Sequence, residues 1–213
     1  ITVVVIPLRS LNGVDDVVDG RVRAKRAPQA ESLARLIQDR QAAGERVISV
    51  GDYNAFQFSD GYVDSLGAIT GNPAPADQVV LATADLVEPN LTNLVNTLPA
   101  EERYSYSFDG NAQVLDHVLI TESLAPRVSR FAYARNDADF PESYRNDSSR
   151  PERLSDHDMP VAYFSLPGAP VITLQGASVM TVEWGGVFTD PGATALDDEL
   201  GDLSSSIVVS GSV

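Results

Sequence analysis

The fold prediction starts from the stretch Arg46-Val47-Ile48-Ser49-Val50-Gly51-Asp52-Tyr53-Asn54-Ala55. Its β-branched run from Val47 to Val50 predicts a buried strand, and the polar side chains of Asp52 and Asn54 follow at the end of that strand. Open sheets usually bind their ligands at strand ends. The stretch therefore predicts a sheet and, at one end of it, a candidate site.

A strand and a helix are predicted upstream of this stretch. The apolar run from Ile1 to Ile6 predicts a buried strand. A helix is expected to start near Pro28 and to end before Gly44, since apolar residues recur at positions 30, 33, 34 and 37. Strand, helix and strand in succession predict a layered α/β architecture.

Further elements are predicted between residues 60 and 166. Short helices are expected at Asp60 to Leu66 and at Leu91 to Leu98. Strands are expected at Tyr104 to Phe108, Val114 to Ile120, Arg130 to Ala134 and Val161 to Phe164. Their alternation of polar and apolar residues is imperfect, which is typical of strands buried on both faces.

Composition limits the possible partners and metals. The 213 residues have a hydrophobic share of 43%, enough for a sizeable core, and a formal net charge of −15. That charge disfavours bulk electrostatic binding of nucleic acid, so a nucleic-acid substrate would be held locally by arginine and divalent metal. Cysteine is absent, which leaves oxygen and histidine ligands and favours Mg²⁺, with Mn²⁺ or Ca²⁺ as alternatives. No apolar stretch approaches the length of a membrane-spanning helix.

Two further motifs carry an aspartate next to a histidine. Ser155-Asp156-His157 offers a metal or phosphate ligand beside an imidazole that exchanges protons near neutral pH. Asp116 lies in an apolar segment, where an unpartnered carboxylate is costly to bury. A histidine from a neighbouring strand would be a suitable partner and would gain basicity, whereas His117 points away from Asp116 by alternation.

Asp52 and Asn54 allow a catalytic and a structural interpretation. On an extended segment their side chains point the same way. Asp52 could orient or deprotonate a metal-activated water, while the Asn54 amide donates to a phosphate oxygen. The alternative is a Gly-Asp-x-Asn turn with side-chain capping, which needs no ligand.

In this order and at strand ends, the motifs resemble those of the endonuclease/exonuclease/phosphatase superfamily. That superfamily includes pancreatic deoxyribonuclease, apurinic endonucleases, neutral sphingomyelinases and inositol polyphosphate phosphatases. The stretches Arg9 to Gly13, Gly51 to Asp64 and Tyr104 to Val118 look like those of bacterial secreted nucleases. The resemblance covers residues 1–166 and implies an α/β sandwich of that type, here partial.

The resemblance also implies a role for each motif residue. Asp52 and Asn54 are implied to position the water and to bind phosphate. His157 is implied to contact the scissile phosphate, with Asp116 as its orienting carboxylate. Asp156, together with Asp52, is implied to bind the metal.

Other residues near the motifs are weaker candidates. Arg9, Arg103 and Arg153 could hold phosphate oxygens, with Arg9 favoured as a substrate contact, although isolated arginines are more often surface residues. Tyr104 and Tyr106 could stack on a base, but packing into a core is the commoner role of strand aromatics.

Two departures from the family pattern predict an impaired enzyme. The family has Asn-His at the end of the strand that here ends in Ile6-Pro7, and proline cannot titrate. The family's N-terminal half, with an asparagine and the main metal-binding glutamate, is not in this sequence. The expectation is a domain that needs the missing N-terminal half as its partner.

The C-terminal region has a different character. Residues 166–170 read as a linker, and short strands are expected at Val171 to Leu174, Val179 to Glu183 and Ile207 to Val209. Residues 170–213 resemble a bacterial immunoglobulin-like surface repeat that is truncated, which makes a small, incomplete all-β segment. The resemblance implies an extracellular or cell-surface bacterial protein.

The sequence favours a fragment of a secreted, metal-dependent phosphodiesterase, with DNA as the favoured substrate and a monomer as the expected state. A phosphatase or sphingomyelinase of the same superfamily remains an alternative, because the motifs recognise phosphate and metal rather than the leaving group. A non-catalytic surface or adhesion module derived from the nuclease fold is a third possibility, which Pro7 favours. The joint presence of Asp52, Asn54, Asp116 and His157 favours catalytic descent.

Overall fold

Two parallel strands and the helix between them form the first part of the fold. A computed structural model describes residues 1–165 and 167–211. The architecture is mixed α/β, and residue contacts divide the chain into a unit at Ile1–Phe164 and a unit at Ser165–Val213.

The first unit contains two α-helices, α1 at Arg21–Ala42 and α2 at Ser65–Thr70. Its strands are β1 Thr2–Pro7, β2 Val47–Asp52, β3 Thr92–Asn93, β4 Tyr106–Phe108, β5 Asn111–Gln113, β6 Asp116–Ile120, β7 Val128–Tyr133 and β8 Pro160–Phe164. Short 3₁₀ turns lie at Leu94–Thr97, Ala100–Glu102, Glu122–Arg127 and Glu142–Tyr144.

The main sheet has the strand order β1-β2-β6-β3. β1 and β2 are parallel, as a strand-helix-strand connection requires, and β6 is antiparallel to both β2 and β3. The strands β4 and β5 form one separate antiparallel pair, and β7 and β8 form another. The predicted strand-helix-strand unit is therefore confirmed, while the second sheet of a sandwich stays a prediction.

Each face of the main sheet is covered by a different hydrophobic cluster. On one face, Val47 and Leu119 pack against Leu33 and Ile37 of α1 and against Ile69 of α2. On the other face, the cluster includes Val118 and Ile120 with Leu94, Leu124, Phe131 and Tyr133. Alternation along β6 sends successive side chains into different clusters, so all five of its residues are buried.

The first helix begins earlier than the sequence predicts. It starts at Arg21, so Pro28 lies inside it rather than in its first turn. An interior proline removes one helical hydrogen bond, and here the burial of Ala30, Leu33 and Ile37 against the sheet offsets that loss. The predicted end is confirmed, since Gly44 follows the helix with φ at 76° and its N–H bonds to the Gln41 carbonyl.

Aspartates explain two other boundary errors. The helix expected at 60–66 is instead α2, because Asp60 Oδ1 accepts the N–H groups of Tyr62 and Val63 and holds a turn there. Asp64 then caps α2 by accepting the Gly67 N–H. The helix expected at 91–98 is a two-residue strand followed by a 3₁₀ turn, which the Asn93 side chain caps.

Part of the second unit forms a small antiparallel sheet. Its strands β9 Val171–Leu174, β10 Ala193–Asp197 and β11 Gly201–Asp202 pair in the order β11-β10-β9. The strand predicted at 171–174 is confirmed, whereas those predicted at 179–183 and 207–209 are wrong. Val179 and Trp184 are exposed, and without a core to pack against, the segment around them has no strand.

Candidate active site

Three neighbouring strands bring their ends together at the candidate site. Pro7 of β1 pairs in register with Asp52 of β2, and Asp52 pairs with Asp116 of β6. Residues in register on adjacent strands share one face of a sheet, and the strands lie about 4.8 Å apart. Pro7, Asp52 and Asp116 therefore form one row across the end of the sheet.

Proline fits the end of β1 because of the strand's pairing. The N–H groups of Thr2 and Leu8 bond to carbonyls of the β2 side, so by alternation the nitrogen of Pro7 faces the outer edge of the sheet. No ladder hydrogen bond is lost there. A side chain at position 7 still lies beside Asp52, where the resemblance implies an imidazole.

The Gly-Asp-Tyr-Asn segment has a backbone that only certain residues tolerate. A Cβ on Gly51 would lie 2.0 Å from the carbonyl oxygen of Ile6, and Gly51 has φ at 147°. Asn54 has φ at 45° in the left-handed region, which asparagine enters more readily than most residues. Geometry thus requires glycine at position 51 and favours asparagine at position 54.

Asn54 orients the Asp52 carboxylate. The Asn54 backbone N–H donates to Asp52 Oδ1 at 2.8 Å, and its side-chain Nδ2 donates to Asp52 Oδ2 at 2.7 Å and to the Leu8 carbonyl at 3.0 Å. This is the capped turn of the structural alternative. Both amide N–H groups are engaged, so phosphate binding through Asn54 stays a prediction that requires one of these bonds to be exchanged.

Asp116 and His157 form a hydrogen-bonded pair. His157 Nδ1 lies 2.7 Å from Asp116 Oδ2, and the Ser105 hydroxyl donates to the same oxygen at 2.7 Å. The Ser105 Oγ in turn accepts the backbone N–H groups of Leu115 and Asp116. Since Nδ1 is held by Asp116, Nε2 is the ring nitrogen left for a ligand.

A buried ion pair holds the loop that carries His157. Asp158, two residues before β8, is fully buried and accepts the N–H groups of Asp137 and Ala138 through Oδ1. Its Oδ2 accepts Arg135 Nη1 at 3.0 Å. The guanidinium of Arg135 also stacks on the Tyr104 ring, at 3.6 Å from its centroid. Sequence reasoning missed Asp158, although it directly follows the Asp-His motif.

The charges at the site shift two pKa values. Burial raises the pKa of Asp52, and the nearby charge of Asp116 adds to that rise against the opposing Asn54 hydrogen bond. Burial alone would lower the pKa of His157. The hydrogen bond to Asp116 and the charges of Asp116, Asp52 and Asp156 outweigh that effect, so the pKa of His157 is raised.

The second histidine has a structural role. His117 is fully buried, with Nε2 2.8 Å from the Ala55 carbonyl and Nδ1 3.0 Å from Asn93 Nδ2. A carbonyl only accepts, so Nε2 carries the proton and Nδ1 accepts from Asn93. Burial lowers the pKa of His117 to about 4, which keeps it neutral at physiological pH.

The donor atoms of the site fit a divalent cation. Ligand atoms of Asp52, Asp116 and His157 lie within 4.8 Å of one another. Carboxylate and imidazole donors suit Mg²⁺ or Mn²⁺. Asp52 and Asp116 would hold the ion, and His157 Nε2 would stay available to the substrate. Asp156 lines the cavity beside His157 but is not in this cluster, so its role as a metal ligand stays a prediction.

The arginines that flank the motifs differ in their surroundings. Arg103 donates to the carbonyls of Leu98 and Asn96, and Arg153 is buried against Glu142. Both have structural contacts, and phosphate binding by either of them stays a prediction. Arg9 is exposed in the loop after β1, beside residues that line the cavity, and its role in substrate binding stays a prediction.

Two solved structures are similar to the chain. An AP endonuclease from Archaeoglobus fulgidus aligns at 16% identity with a TM-score of 0.45, over 70% of this chain and 57% of its own. The 3′ phosphatase NExo from Neisseria, bound to product DNA hairpin, aligns at 16% identity with a TM-score of 0.44, over 76% of this chain and 61% of its own. The chain thus spans about three-fifths of the length of each. No curated protein is significantly similar to it.

A family match exists for the C-terminal region. Residues 172–213 match the family described as bacterial surface protein, Ig-like domain. Of the helices in residues 1–165 and 167–211, none has the length and apolar character needed to cross a membrane. The segment at 172–213 is therefore similar to domains of bacterial surface proteins.

Proposed function

We propose that the chain carries a divalent-metal-dependent phosphodiesterase site that acts on DNA. The observation that carries this proposal is the arrangement of Asp52, Asp116 and His157. Their ligand atoms lie within 4.8 Å of one another. The Asp116–His157 hydrogen bond fixes the orientation of the imidazole and leaves its Nε2 available to a ligand. A carboxylate beside an oriented histidine is suited to hydrolysis at phosphorus.

Each side chain has a distinct task in this proposal. Asp52, held by Asn54, orients the attacking water and accepts its proton. His157 donates from Nε2 to a phosphate oxygen, and Asp116 stabilises the imidazolium. A divalent cation, when bound at Asp52 and Asp116, would polarise the phosphate and lower the pKa of a bound water.

Turnover by this chain is proposed to be slow. Position 7 lies in the same row as Asp52 and Asp116 and contributes proline, which neither donates nor titrates. Loss of one acid–base group typically lowers a rate about 10²- to 10⁴-fold. The site therefore has a fixed histidine, His157, and an oriented aspartate, Asp52, but no acid–base group at position 7.

A surface or extracellular location is part of the proposal. It is supported by the match of residues 172–213 to a bacterial surface Ig-like domain. The net charge of −15 would repel a polyanion, so DNA would approach with the help of divalent cations. The same match and Pro7 favour the second candidate, a non-catalytic surface module with a degenerate nuclease site.

The test is hydrolysis of bis(p-nitrophenyl) phosphate and of plasmid DNA by the 213-residue chain with Mg²⁺ or Mn²⁺. We expect slow turnover that EDTA abolishes. Asp52→Asn and His157→Gln should each lower it about 10²-fold or more. Asp85→Asn, an exposed aspartate of the loop before β3, is the matched control and should leave the rate unchanged.

The outcomes separate the two candidates. Metal-dependent turnover that depends on Asp52 and His157 supports the enzyme. No turnover above the blank, or a rate equal in all three variants, supports the non-catalytic module. Robust plasmid cleavage abolished by Asp52→Asn would support the enzyme but contradict the proposed effect of Pro7.

A further inference from the structure

A cavity of about 860 Å³ opens beside the candidate catalytic residues. Asn54, Asp156 and His157 line part of it. Ligand pockets for small molecules have volumes of about 300 to 1,000 Å³, so this cavity has room for more than a phosphate group. Its other walls are therefore open to a group attached to a phosphate at His157.

Two pairs of aromatic rings form these walls. Phe56 and Phe58, in the loop after β2, have near-parallel rings with centroids 5.5 Å apart and 21° between their planes. Tyr106 and Phe108, on β4, have centroids 6.4 Å apart and again 21° between planes. Tyr106 also lies 4.6 Å from the His157 ring. Each pair is thus a stack of two rings, with Phe58 or Phe108 as the more exposed member.

The outer ring of each pair is exposed to solvent. Phe58 is 67% exposed and Phe108 is 53% exposed. Among the phenylalanines of residues 1–164, all of them described, these two alone are exposed, and both line this cavity. Phenylalanine is usually buried, so two exposed rings converging on one cavity mark a binding surface.

We propose that these rings stack against unpaired bases of single-stranded nucleic acid whose phosphate lies at His157. The proposal rests on the proposed function for the position of the phosphate. A base offers a flat π-face of about the size of one ring, and stacking tolerates any base. The exposed ring of each stacked pair can offer such a face to a base.

The remaining polar lining also suits a nucleoside. Asn12, Ser59 and Gln113 line the cavity and offer neutral hydrogen-bond donors and acceptors, which base edges and sugars require. Lysine and arginine are absent from the described lining, so binding depends on stacking and a divalent cation. Asp15 and Asp60 also line the cavity and would instead favour a cationic headgroup, which makes a quaternary ammonium ligand the competing outcome.

The geometry favours single strands over duplex. In a duplex, each base is covered on both faces by its neighbours, so a protein ring reaches a base face only after unstacking. Phe58 and Phe108 are exposed in separate segments, the loop after β2 and strand β4, and would contact successive bases of a flexible strand. A duplex offers them only its edge and backbone.

The test is the binding of fluorescein-labelled octathymidylate to the 213-residue chain, measured by anisotropy in Ca²⁺. The comparison ligands are an abasic octamer with the same number of phosphates and an eight-base-pair duplex. We expect octathymidylate to bind at least about 10-fold more tightly than either comparison ligand. Phe58→Ala and Phe108→Ala should each weaken it about 5- to 100-fold and leave the abasic octamer unaffected.

Two further variants control for bulk and folding. Phe58→Trp retains a stacking surface and should retain the affinity of the wild-type chain. Tyr163→Ala removes an aromatic side chain of β8 that is 50% exposed but does not line the cavity, and it should have no effect. Phe58 and Phe108 are exposed, so their removal leaves the hydrophobic core intact.

Each outcome decides between the two proposals. Equal binding of octathymidylate and the abasic octamer, or no effect of the two alanine variants, overturns the stacking surface. Tetramethylammonium that displaces octathymidylate and loses affinity in Phe58→Ala also overturns it, in favour of a cationic headgroup. If both octamers are hydrolysed equally fast, the phosphodiesterase stands and the stacking surface falls. If octathymidylate binds with the expected preference and no ligand is hydrolysed, the stacking surface stands and the phosphodiesterase falls.

Discussion

Replacing Asp158 with asparagine should destabilise the first unit by about 3 kcal/mol. The asparagine Oδ1 can still accept the N–H groups of Asp137 and Ala138, which bond to one oxygen of the native carboxylate. The amide NH₂ would then face Arg135 Nη1, donor against donor. Breaking a buried ion pair costs about 3 to 5 kcal/mol, and the partial exposure of Arg135 places this substitution at the lower end.

Urea unfolding followed by circular dichroism at the helical minimum measures this loss. The signal reports the first unit, because α1 and α2 both belong to it and the described residues of the second unit contain no α-helix. Tryptophan fluorescence would not, since Trp184 is the only tryptophan and lies in the second unit. The matched control is Asp139→Asn, at an aspartate that accepts the Tyr104 hydroxyl on the surface, which should cost less than about 1 kcal/mol. Equal stabilities of the two variants would refute the inference that Asp158 holds the loop.

Three more predictions concern the sheet and the histidines. The pKa of His117 is about 6.5 in the unfolded chain and about 4 in the folded chain, because burial disfavours the charged imidazole. The free energy of unfolding should therefore fall by about 3 kcal/mol as the pH drops from about 6.5 to about 4. NMR titration of the two histidines checks this, and a normal pKa for His117 would contradict it. Gly51→Ala places a Cβ against the Ile6 carbonyl and should cost about 2 to 6 kcal/mol in urea unfolding. Pro7→His adds an imidazole beside Asp52 and should raise kcat for bis(p-nitrophenyl) phosphate by up to about 100-fold, and an unchanged rate would mean that position 7 does not face the substrate.

The parts of the fold that follow from local patterns were predictable. Apolar periodicity predicts buried strand and helix faces, because side-chain direction follows from strand and helix geometry. It correctly placed the strand at Val47 to Val50 and the buried face of α1 at positions 30 to 37. The start of α1 was not predictable in this way. Its first turns bury Arg23 and Arg26, and a buried arginine has no signal in a hydrophobic pattern.

The site was predictable in its residues but not in its contacts. Sequence reasoning required a partner for Asp116, and the structure supplies His157, because a buried carboxylate needs a donor. Ser105 and Tyr133 also bond to Asp116, through its carboxylate and its carbonyl respectively. Neither carries a motif, and their roles depend on the three-dimensional approach of β7 and of the residue before β4 to Asp116.

The close approach of β1 to Gly51 also affects how this motif can be used to infer activity. Glycine is needed there because no Cβ fits beside Ile6, and Asn54 is favoured because its backbone is left-handed. A chain without any catalysis would therefore still need Gly51 in order to fold, and Asn54 would still be favoured. The glycine and the asparagine of this motif are therefore weak evidence for activity, and the inference of an enzyme depends on the side chains of Asp52, Asp116 and His157.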